Sequence, residues 1–294
     1  MHNFLRSIGF GKIKKRQEIN ALLQEIINHP DHKLISENED GEVFAELSKD
    51  FGEFIGIAVR GEYLENGEFE TDYFYPYFLG SGISTEERVD VEKHSEKESY
   101  AGVCDEIKIG VTLIFYLQNI VEYLNKDKNK EVRGNHTTTT LSALSSFGKI
   151  LLPIQKNEFQ DKSDDTVNRE RNHLIAAARE GDEEAIESLT LEDIDTYSMI
   201  SRRIMYEDIL TIVSSYFMPY GIESDQYSIL GEIQDYHTIV NHFTKEELCV
   251  LTVNCNDLVF DVCINREDLL GEPAVGRRFK GAIWMQGNIN YEDS

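Results

Sequence analysis

The stretch FIGIAVRGEYLENGEFETDYFYPYF, residues 54–78, carries the clearest structural signal in the 294-residue chain. It contains Asn66-Gly67, a dipeptide that favours a two-residue type I′ turn because both central residues of that turn need positive φ. Folding about this turn gives three favourable cross-strand pairs: Leu64 with Phe69, Arg60 with Tyr73, and Val59 with Phe74. The stretch therefore predicts a β-hairpin centred on Asn66-Gly67.

The segments around this hairpin predict an N-terminal mixed α/β domain over residues 1–155. Before the hairpin, apolar residues recur at helical spacing from Ile19 to Ile27, and His29-Pro30 ends the run. After it, EIKIGVTLIFYL at 106–117 alternates like a strand, although its continuation would also suit a helix. LSALSSFGKILLPI at 141–154 is interpreted as two short strands.

The middle of the chain predicts helices. A polar stretch at 156–168 is typical of a domain boundary. In RNHLIAAAREGDEEAIESL, residues 171–189, two apolar stripes flank Gly181-Asp182. Glycine is a common helix C-cap and aspartate a common N-cap, so the pattern indicates a helical hairpin. We therefore expect a helical segment over 156–216.

The last part of the chain alternates repeatedly between apolar and polar residues and predicts short strands. The segments are YSILGEI, ELCVLTVNC, DLVFDVCIN and GRRFKGAIWMQGNI, beginning at residues 227, 247, 257 and 276. Short strands with glycines at the bends are typical of a small antiparallel β-barrel-like unit, here 217–294. The predicted fold class is α+β: the mixed domain, the helical middle segment and this unit.

Composition restricts the classes of partner. The formal net charge of −25 disfavours nucleic acid, because binding to phosphates depends on Lys and Arg. No apolar run reaches the length of about 18 residues that a membrane span needs. The first sixteen residues are basic but lack an apolar core and a cleavage site, so we interpret them as an N-terminal helical element.

The four cysteines indicate a reducing compartment. Cys104, Cys249, Cys255 and Cys263 have neither the density of a disulfide framework nor a CxxC spacing. Thiols of this kind are typically buried and reduced. We therefore expect a cytoplasmic protein. The histidines and cysteines between 237 and 263 also lack the short spacing of a zinc site.

The candidate binding residues lie in GRRFKGAIWMQG, residues 276–287. On a strand, Arg278 and Lys280 share a face with Trp284, the only tryptophan, and Arg277 precedes them. A basic and aromatic face suits a small anionic ligand. The other interpretation is an internal docking face, because basic side chains in an acidic protein find many internal partners.

Catalytic signatures are missing from the sequence. There is no GxSxG elbow, P-loop or dinucleotide fingerprint. Paired acids such as Glu183-Glu184 and Glu246-Glu247 occur where helix starts or loops are expected, and there they favour the helix dipole and solubility. We predict no catalytic residues, no metal site and no cofactor.

Three strings resemble an uncharacterised bacterial protein family of unknown function. They are MHNFLRSIGF, IVSSYFMPYGIESDQYSILGEI and LLGEPAVGRRFKGAIWMQG, beginning at residues 1, 212 and 269. The resemblance extends over essentially the full length. It implies a bacterial, cytoplasmic protein and supplies no activity, cofactor or site residue.

The functional prediction is a non-enzymatic protein-interaction or regulatory module with a protein partner. The alternative is a small anionic ligand-binding protein, or an enzyme, that uses the basic and aromatic strand 277–284. Neither interpretation includes a nucleic-acid or membrane partner.

Overall fold

A computed structural model describes residues 3–37, 43–64, 66–93, 99–128, 137–154, 173–174, 177–178, 181–190, 208–221 and 225–291. Of these residues, 53% lie in strands and 21% in helices. The protein is therefore mostly β, and the predicted α+β class is wrong. No described helix has the length and apolar character needed to cross a membrane.

The first sheet is antiparallel and has four strands in chain order. They are β1 (His32–Glu37), β2 (Val43–Gly52), β3 (Ile55–Tyr63) and β4 (Phe69–Phe78). A 3-10 turn (Leu5–Ile8) and helix α1 (Arg16–Asn28) precede it. In α1, Ile19, Leu22 and Ile26 are buried, and Glu18 caps the helix N-terminus by accepting from the Lys15 backbone N–H. This capping explains why the helix begins after the basic segment.

The second sheet contains the remaining strands. They are β5 (Asp90–Lys93), β6 (Tyr100–Glu106), β7 (Val111–Leu117), β8 (Thr137–Leu151), β9 (Tyr216–Pro219), β10 (Gln226–Val240), β11 (Glu247–Cys255), β12 (Leu258–Asn265), β13 (Leu269–Leu270) and β14 (Arg278–Tyr291). The described helices in this part are α2 (Ile120–Lys128), α3 (183–190) and α4 (Ile209–Ile212), with 3-10 turns at Ile107–Ile109 and Arg266–Asp268.

Five of these strands close into a ring. β8 pairs with β14 on one edge and with β12 on the other, and β10 and β11 complete the circuit. The β8–β12 pairing is parallel and the other four are antiparallel. The predicted C-terminal antiparallel unit is therefore wrong, because the ring needs β8 from residues 137–151 and contains a parallel pair.

The predicted helical middle segment, 156–216, is also wrong as a description of the fold. Its described parts include α3 and the single turn α4, after which the chain enters β9 at Tyr216. Most of the segment, including much of the proposed helical hairpin, lies outside the described residues. Within the hairpin, Asp182 accepts from the backbone N–H groups of Glu184 and Ala185, as expected of an N-cap.

The β3–β4 hairpin forms with a different turn. Arg60 pairs with Tyr73 and Val59 with Phe74, in the predicted register. Two hydrogen bonds close the loop: the Leu64 N–H donates to the Glu68 carbonyl, and the Gly67 N–H donates to the Leu64 carbonyl. Gly67 has φ of +85°. The connection is therefore a three-residue loop rather than a type I′ turn. A bulge after Arg60 shifts the outer pairs, so that Tyr63 rather than Leu64 faces Phe69.

Two further strand assignments change. The segment 106–117 is not one strand, because a 3-10 turn and Gly110, with φ of +69°, separate β6 from β7. The segment 141–154 is not two strands, because 137–151 forms the single strand β8. In both cases the partner strand decides the outcome: β6 pairs with β7, and β8 pairs along its length with β14.

Two apolar cores hold the fold together. The first fills the ring and includes Phe279, Ile283 and Met285 of β14. The second lies between the ring and the first sheet and includes Trp284 of the same strand. Strand β14 therefore contributes alternate side chains to both cores, as a strand buried on two faces does.

Candidate functional site

The Trp284 side chain contacts other residues of the protein on both its ring and its indole N–H. The side chain is buried, and its indole Nε1–H donates to Asp225 Oδ2 at 2.7 Å. Its ring stacks on Phe4 at 5.5 Å between centroids and also lies 5.3 Å from the Tyr116 ring. The aromatic residue of the predicted binding face is thus part of the packing between the sheets.

Arg278 of the same strand and Arg277, which precedes it, also have internal partners. Arg278 is buried and donates to the carbonyl oxygens of Leu152 and Val213 at 2.9 to 3.0 Å. Burial lowers the pKa of Arg278. Arg277 Nη1 donates to the Glu272 carbonyl at 2.7 Å, and Lys280 is half-buried. The two arginines therefore fasten neighbouring loops by their backbone carbonyls.

The strand also spaces these residues widely. Arg278 and Trp284 are six residues apart on an extended chain, which corresponds to about 20 Å. Lys280 and Trp284 are separated by about 13 Å on the same basis. The structure therefore places the predicted residues on one strand but does not bring Arg278 and Trp284 together around one small ligand.

A dense polar cluster surrounds Arg60. This side chain is 1% exposed and forms an ion pair with Glu46, its partner on the neighbouring strand β2. It also donates to the Tyr73 hydroxyl at 2.7 Å, the Tyr75 hydroxyl at 3.3 Å and the Gln118 carbonyl at 3.3 Å. We name these five residues the Arg60 cluster.

The Arg60 cluster links the two sheets, since Arg60 of the first sheet contacts Gln118, which follows β7 of the second. The Tyr75 hydroxyl donates to Glu46 at 2.9 Å, so the buried carboxylate has two partners. Burial raises the pKa of Tyr75 well above its ordinary value and keeps this donor protonated. A buried ion pair of this kind fixes geometry because each charge is costly without the other.

The four cysteines are unreactive in the folded chain. All are free and buried. Burial raises the pKa of Cys104 and of Cys255 to about 12, and it also raises the pKa of Cys249 and Cys263. Because the thiolate is the reactive form, these groups are poor nucleophiles. Across the described ranges, no group of three or more His, Cys, Asp or Glu side chains is placed to hold a metal ion.

Two aromatic side chains that are more than half exposed lie where two turns meet. Phe243 is 64% exposed in the loop 241–246 between β10 and β11, and Phe54 is 53% exposed in the turn between β2 and β3. The turns are joined by a hydrogen bond from the His242 N–H to the Phe51 carbonyl at 2.6 Å. Val240, 40% exposed, lies beside this junction.

The loop 241–246 is held rigidly. Asn241 is fully buried, and its side-chain amide donates to the Ile8 carbonyl at 2.7 Å. Its Oδ1 accepts from the N–H groups of Phe243 and Thr244, both at 2.9 Å. Thr244 Oγ1 then donates to the Gly9 carbonyl at 2.6 Å. The exposed ring of Phe243 is therefore carried by a fixed backbone.

The turn that carries Phe54 is strained. Phe54 has φ of +60°, a left-handed conformation that is unusual for a bulky residue. Gly52 fits tightly beside it, since an added Cβ would lie 2.9 Å from the Val240 carbonyl oxygen. Strain of this kind persists only where the surrounding structure imposes it, and it is enriched at binding sites.

A basic segment adjoins these aromatic residues. The Phe10 ring lies 6.2 Å from the Phe243 ring, and the Gly11 N–H donates to Glu246 Oε2 at 3.1 Å. The exposed cations that follow Gly11 or belong to the loop are Lys12, Lys14, Lys15, Arg16 and Lys245. We name these cations, together with Phe54, Val240 and Phe243, the aromatic–basic surface.

Sequence reasoning did not find this surface. It interpreted the basic N-terminal segment as part of the fold, and it gave no role to Phe243. One signal was present: NHFTKEE, residues 241–247, places an aromatic side chain inside an otherwise polar loop. The nearness of residues 10–16 to that loop depends on tertiary structure, and no local pattern contains it.

Comparison with family models gives one match. The family is described as "Domain of unknown function, E. rectale Gene description (DUF3881)", and its model covers residues 5–287. The chain belongs to this family. The predicted resemblance to a family of unknown function is thereby confirmed. Neither the comparison with curated proteins nor that with solved structures found a match.

Proposed function

We propose that the protein is a non-enzymatic protein-interaction module and that the aromatic–basic surface is its docking site. One observation carries the proposal: Phe243 is 64% exposed, yet its loop is fixed through the buried side chain of Asn241. A large apolar ring on a rigid loop loses little conformational entropy when it binds. Such rings are typical anchors of protein interfaces.

The contacts of the other candidate groups favour this function over catalysis. Burial keeps the thiols protonated, and the polar atoms of Arg60 face tyrosines, a carboxylate and a backbone carbonyl. The alternative, a small anionic ligand on strand 277–284, has less support because Arg278 and Trp284 already have internal partners.

We further propose a bacterial, cytoplasmic location. Its support is the set of four free, buried cysteines, since a reducing compartment maintains thiols in this form. A regulatory role is compatible with the same docking surface, because a module that only binds acts by altering the state of its partner.

Site-specific photo-crosslinking tests the docking site. A benzophenone amino acid is placed at position 243 and, in a second variant, at position 275, where Val275 is also 64% exposed. In lysate of the source cells, we expect discrete crosslinked products from position 243 that an excess of the unmodified protein suppresses. An excess of a Phe243→Ser variant should not suppress them.

Two results would contradict the proposal. Equal crosslinking at positions 243 and 275 would show that exposure alone explains the products. Competition by Phe243→Ser that matches the unmodified protein would show that the ring is not an anchor. Discrete products at 275 alone would move the docking site to the surface near Arg277.

A further inference from the structure

We infer that the partner presents an acidic segment that also bears an apolar side chain. This inference rests on the proposed docking site and adds the chemistry of its occupant. The segment KIKKR, residues 12–16, exposes four cations directly after Gly11, which contacts the loop 241–246. Lys245 adds a fifth exposed cation within that loop.

The local charge is opposite to that of the whole protein. The chain has a formal net charge of −25, so a group of five exposed cations is unusual on it. Of the nearby acids, Glu246 is buried against Gly11 and Asn265, and Glu18 accepts from the backbone N–H groups of Lys14 and Lys15. Glu53, which precedes Phe54, and Glu247, which follows the loop 241–246, are exposed acids.

The size of the basic segment suits a short protein segment. Five residues in extended form span at most about 17 Å, so an occupant of five to six residues reaches along it. Charges separated by more than about 8 Å are screened at physiological salt. A short acidic segment therefore interacts with the local cations and is little affected by the remaining acidic surface.

An extended anionic partner fits less well. A membrane surface or a nucleic-acid duplex would face a wide area of the protein, and that area belongs to a chain with 54 acidic and 29 basic residues. Net charge of this sign repels anionic surfaces. The structure thus favours a compact acidic segment over both.

A second copy of the chain is also less suitable. Its β3–β4 hairpin is acidic at the tip, but Tyr63 there is only 42% exposed, since its ring packs on Phe69 at 5.1 Å and lies 4.2 Å from Lys33 Nζ. A contact between two different surfaces of one chain would also be heterologous, and such contacts generate rings or open filaments rather than the common two-fold dimer. The occupant is therefore assigned to a different protein.

The apolar requirement comes from the two exposed rings. Phe54 and Phe243 border the junction of their turns, and both rings are more than half exposed. An aliphatic or aromatic side chain of the partner would cover them, while its carboxylates face the cations. Central apolar contacts with a charged rim are the usual arrangement of a protein interface.

A displayed library tests this chemistry without a known partner. Random twelve-residue peptides on phage are selected on the full-length protein and counter-selected on a variant carrying Phe243→Ala and Lys14→Glu. We expect enriched peptides with net negative charge and at least one large apolar residue. Binding of a labelled enriched peptide should weaken at least tenfold for Phe243→Ala and several-fold for Lys14→Glu.

Matched controls separate local from global effects. Arg88→Glu changes the net charge as Lys14→Glu does, at an exposed site on another element, and Val275→Ala removes a side chain as exposed as Phe243. Neither control should change the affinity more than twofold. Replacing the peptide's Glu and Asp by Gln and Asn should remove most binding, and raising the salt should weaken it.

The outcomes distinguish the two proposals. Enrichment of neutral or basic peptides that still need Phe243 would overturn the acidic partner and leave the docking site intact. Binding of anionic vesicles or duplex DNA that Lys14→Glu abolishes would replace the protein partner. Concentration-dependent self-association that Phe243→Ala abolishes would assign the site to a second copy. If the selected peptides bind the Phe243→Ala, Lys14→Glu variant as well as the unmodified protein, the acidic partner is overturned. If position 243 also gives no crosslinked product, the docking site is overturned as well.

Discussion

The Arg60 cluster and the loop 241–246 are both dense hydrogen-bond networks, yet they present different groups to the solvent. In the Arg60 cluster, the side chains of Arg60, Glu46 and Tyr75 are buried and their polar atoms face one another. In the loop, the buried side chain of Asn241 holds the backbone, and Phe243 remains 64% exposed although its ring borders those of Phe10 and Phe51.

This difference separates a structural network from a candidate functional one. A buried network whose charges are paired stabilises a unique arrangement of two sheets. A network that fixes a backbone and leaves an apolar ring exposed gives the folded chain little apolar burial from that ring. Substitutions in the first should therefore change stability, whereas substitutions of exposed rings in the second should change binding.

The largest effect is expected from Arg60→Ala. It leaves the Glu46 carboxylate buried without its cation, which costs about 3–5 kcal/mol of unfolding free energy. Urea unfolding followed by the fluorescence of Trp284, the only tryptophan and a buried one, measures it. A double variant, Arg60→Met with Glu46→Leu, should recover most of the loss. A loss below about 1 kcal/mol for Arg60→Ala would show that the pair contributes little.

A smaller loss is expected from Asn241→Ala. It removes the acceptor for two backbone N–H groups and the donor to the Ile8 carbonyl, and leaving such buried groups unpaired costs about 2–3 kcal/mol. Hydrogen exchange of residues 243 and 244 should accelerate. Binding of the selected peptide should also weaken although Phe243 is intact. Unchanged exchange would contradict the assignment of Asn241 as the support of the loop.

Alkaline pH should destabilise the fold through the buried thiols. A thiol of the unfolded chain ionises near its ordinary pKa of 9.0, whereas the folded pKa of Cys104 and of Cys255 is about 12. The stabilisation that these two protonated thiols give the folded state is complete below pH 9 and is lost as the pH rises from 9 to 12. Within that window, each thiol lowers the free energy of unfolding by about 1.4 kcal/mol per pH unit.

Unfolding free energies at pH 8, 9 and 10 measure this dependence. Cys104→Ala should flatten the profile, because alanine does not titrate. A stability that stays constant or rises between pH 9 and 10 would contradict the expected direction.

The smallest effect compares two substitutions at Phe54. Both Phe54→Ala and Phe54→Gly remove the exposed ring, but only glycine adopts φ of +60° without strain. We expect the glycine variant to be more stable than the alanine variant by about 1 kcal/mol. Thermal unfolding measures the difference, and both variants should bind the selected peptide equally weakly. Equal stability would show that the turn relaxes.

Local pairings were predictable from the sequence where the partner is near in the chain. The register of Arg60 with Tyr73 follows from their positions around Asn66-Gly67. The bulge after Arg60 does not follow, because it depends on the three-residue loop, in which Gly67 has positive φ. The alternation of β10, β11, β12 and β14 was equally readable, since each has apolar residues at period two.

The fold class was not predictable because its decisive pairings are distant in the chain. β8 pairs with β14, and Leu144 faces Trp284 across 140 positions. Alternation of apolar and polar residues indicates that a strand has a buried face, but it does not specify which other strand or sheet covers that face. The helical pattern at 171–189 was given too much weight, because it concerns a short part of a chain dominated by strands.

The candidate site likewise has features that the sequence shows and others that depend on distant contacts. The sequence predicts a binding face on β14 that carries Trp284, but in the structure the Trp284 ring packs against Phe4 and Tyr116. The basic segment 12–16 and the ring of Phe243 were visible separately. Their adjacency requires the contact between Gly11 and Glu246, which are 235 positions apart.

The closure of the ring by β8 and β14 has a consequence for synthesis. β8 is complete at Leu151, but its longest partner begins at Arg278, so a ribosome adds more than a hundred residues before the two can pair. At about 5–20 residues per second, one edge of β8 waits about 6 to 25 seconds for this partner. Unpaired strand edges promote aggregation. The ring is therefore expected to close only once β14 has been synthesised, and folding is expected to benefit from chaperones that shield the waiting edge.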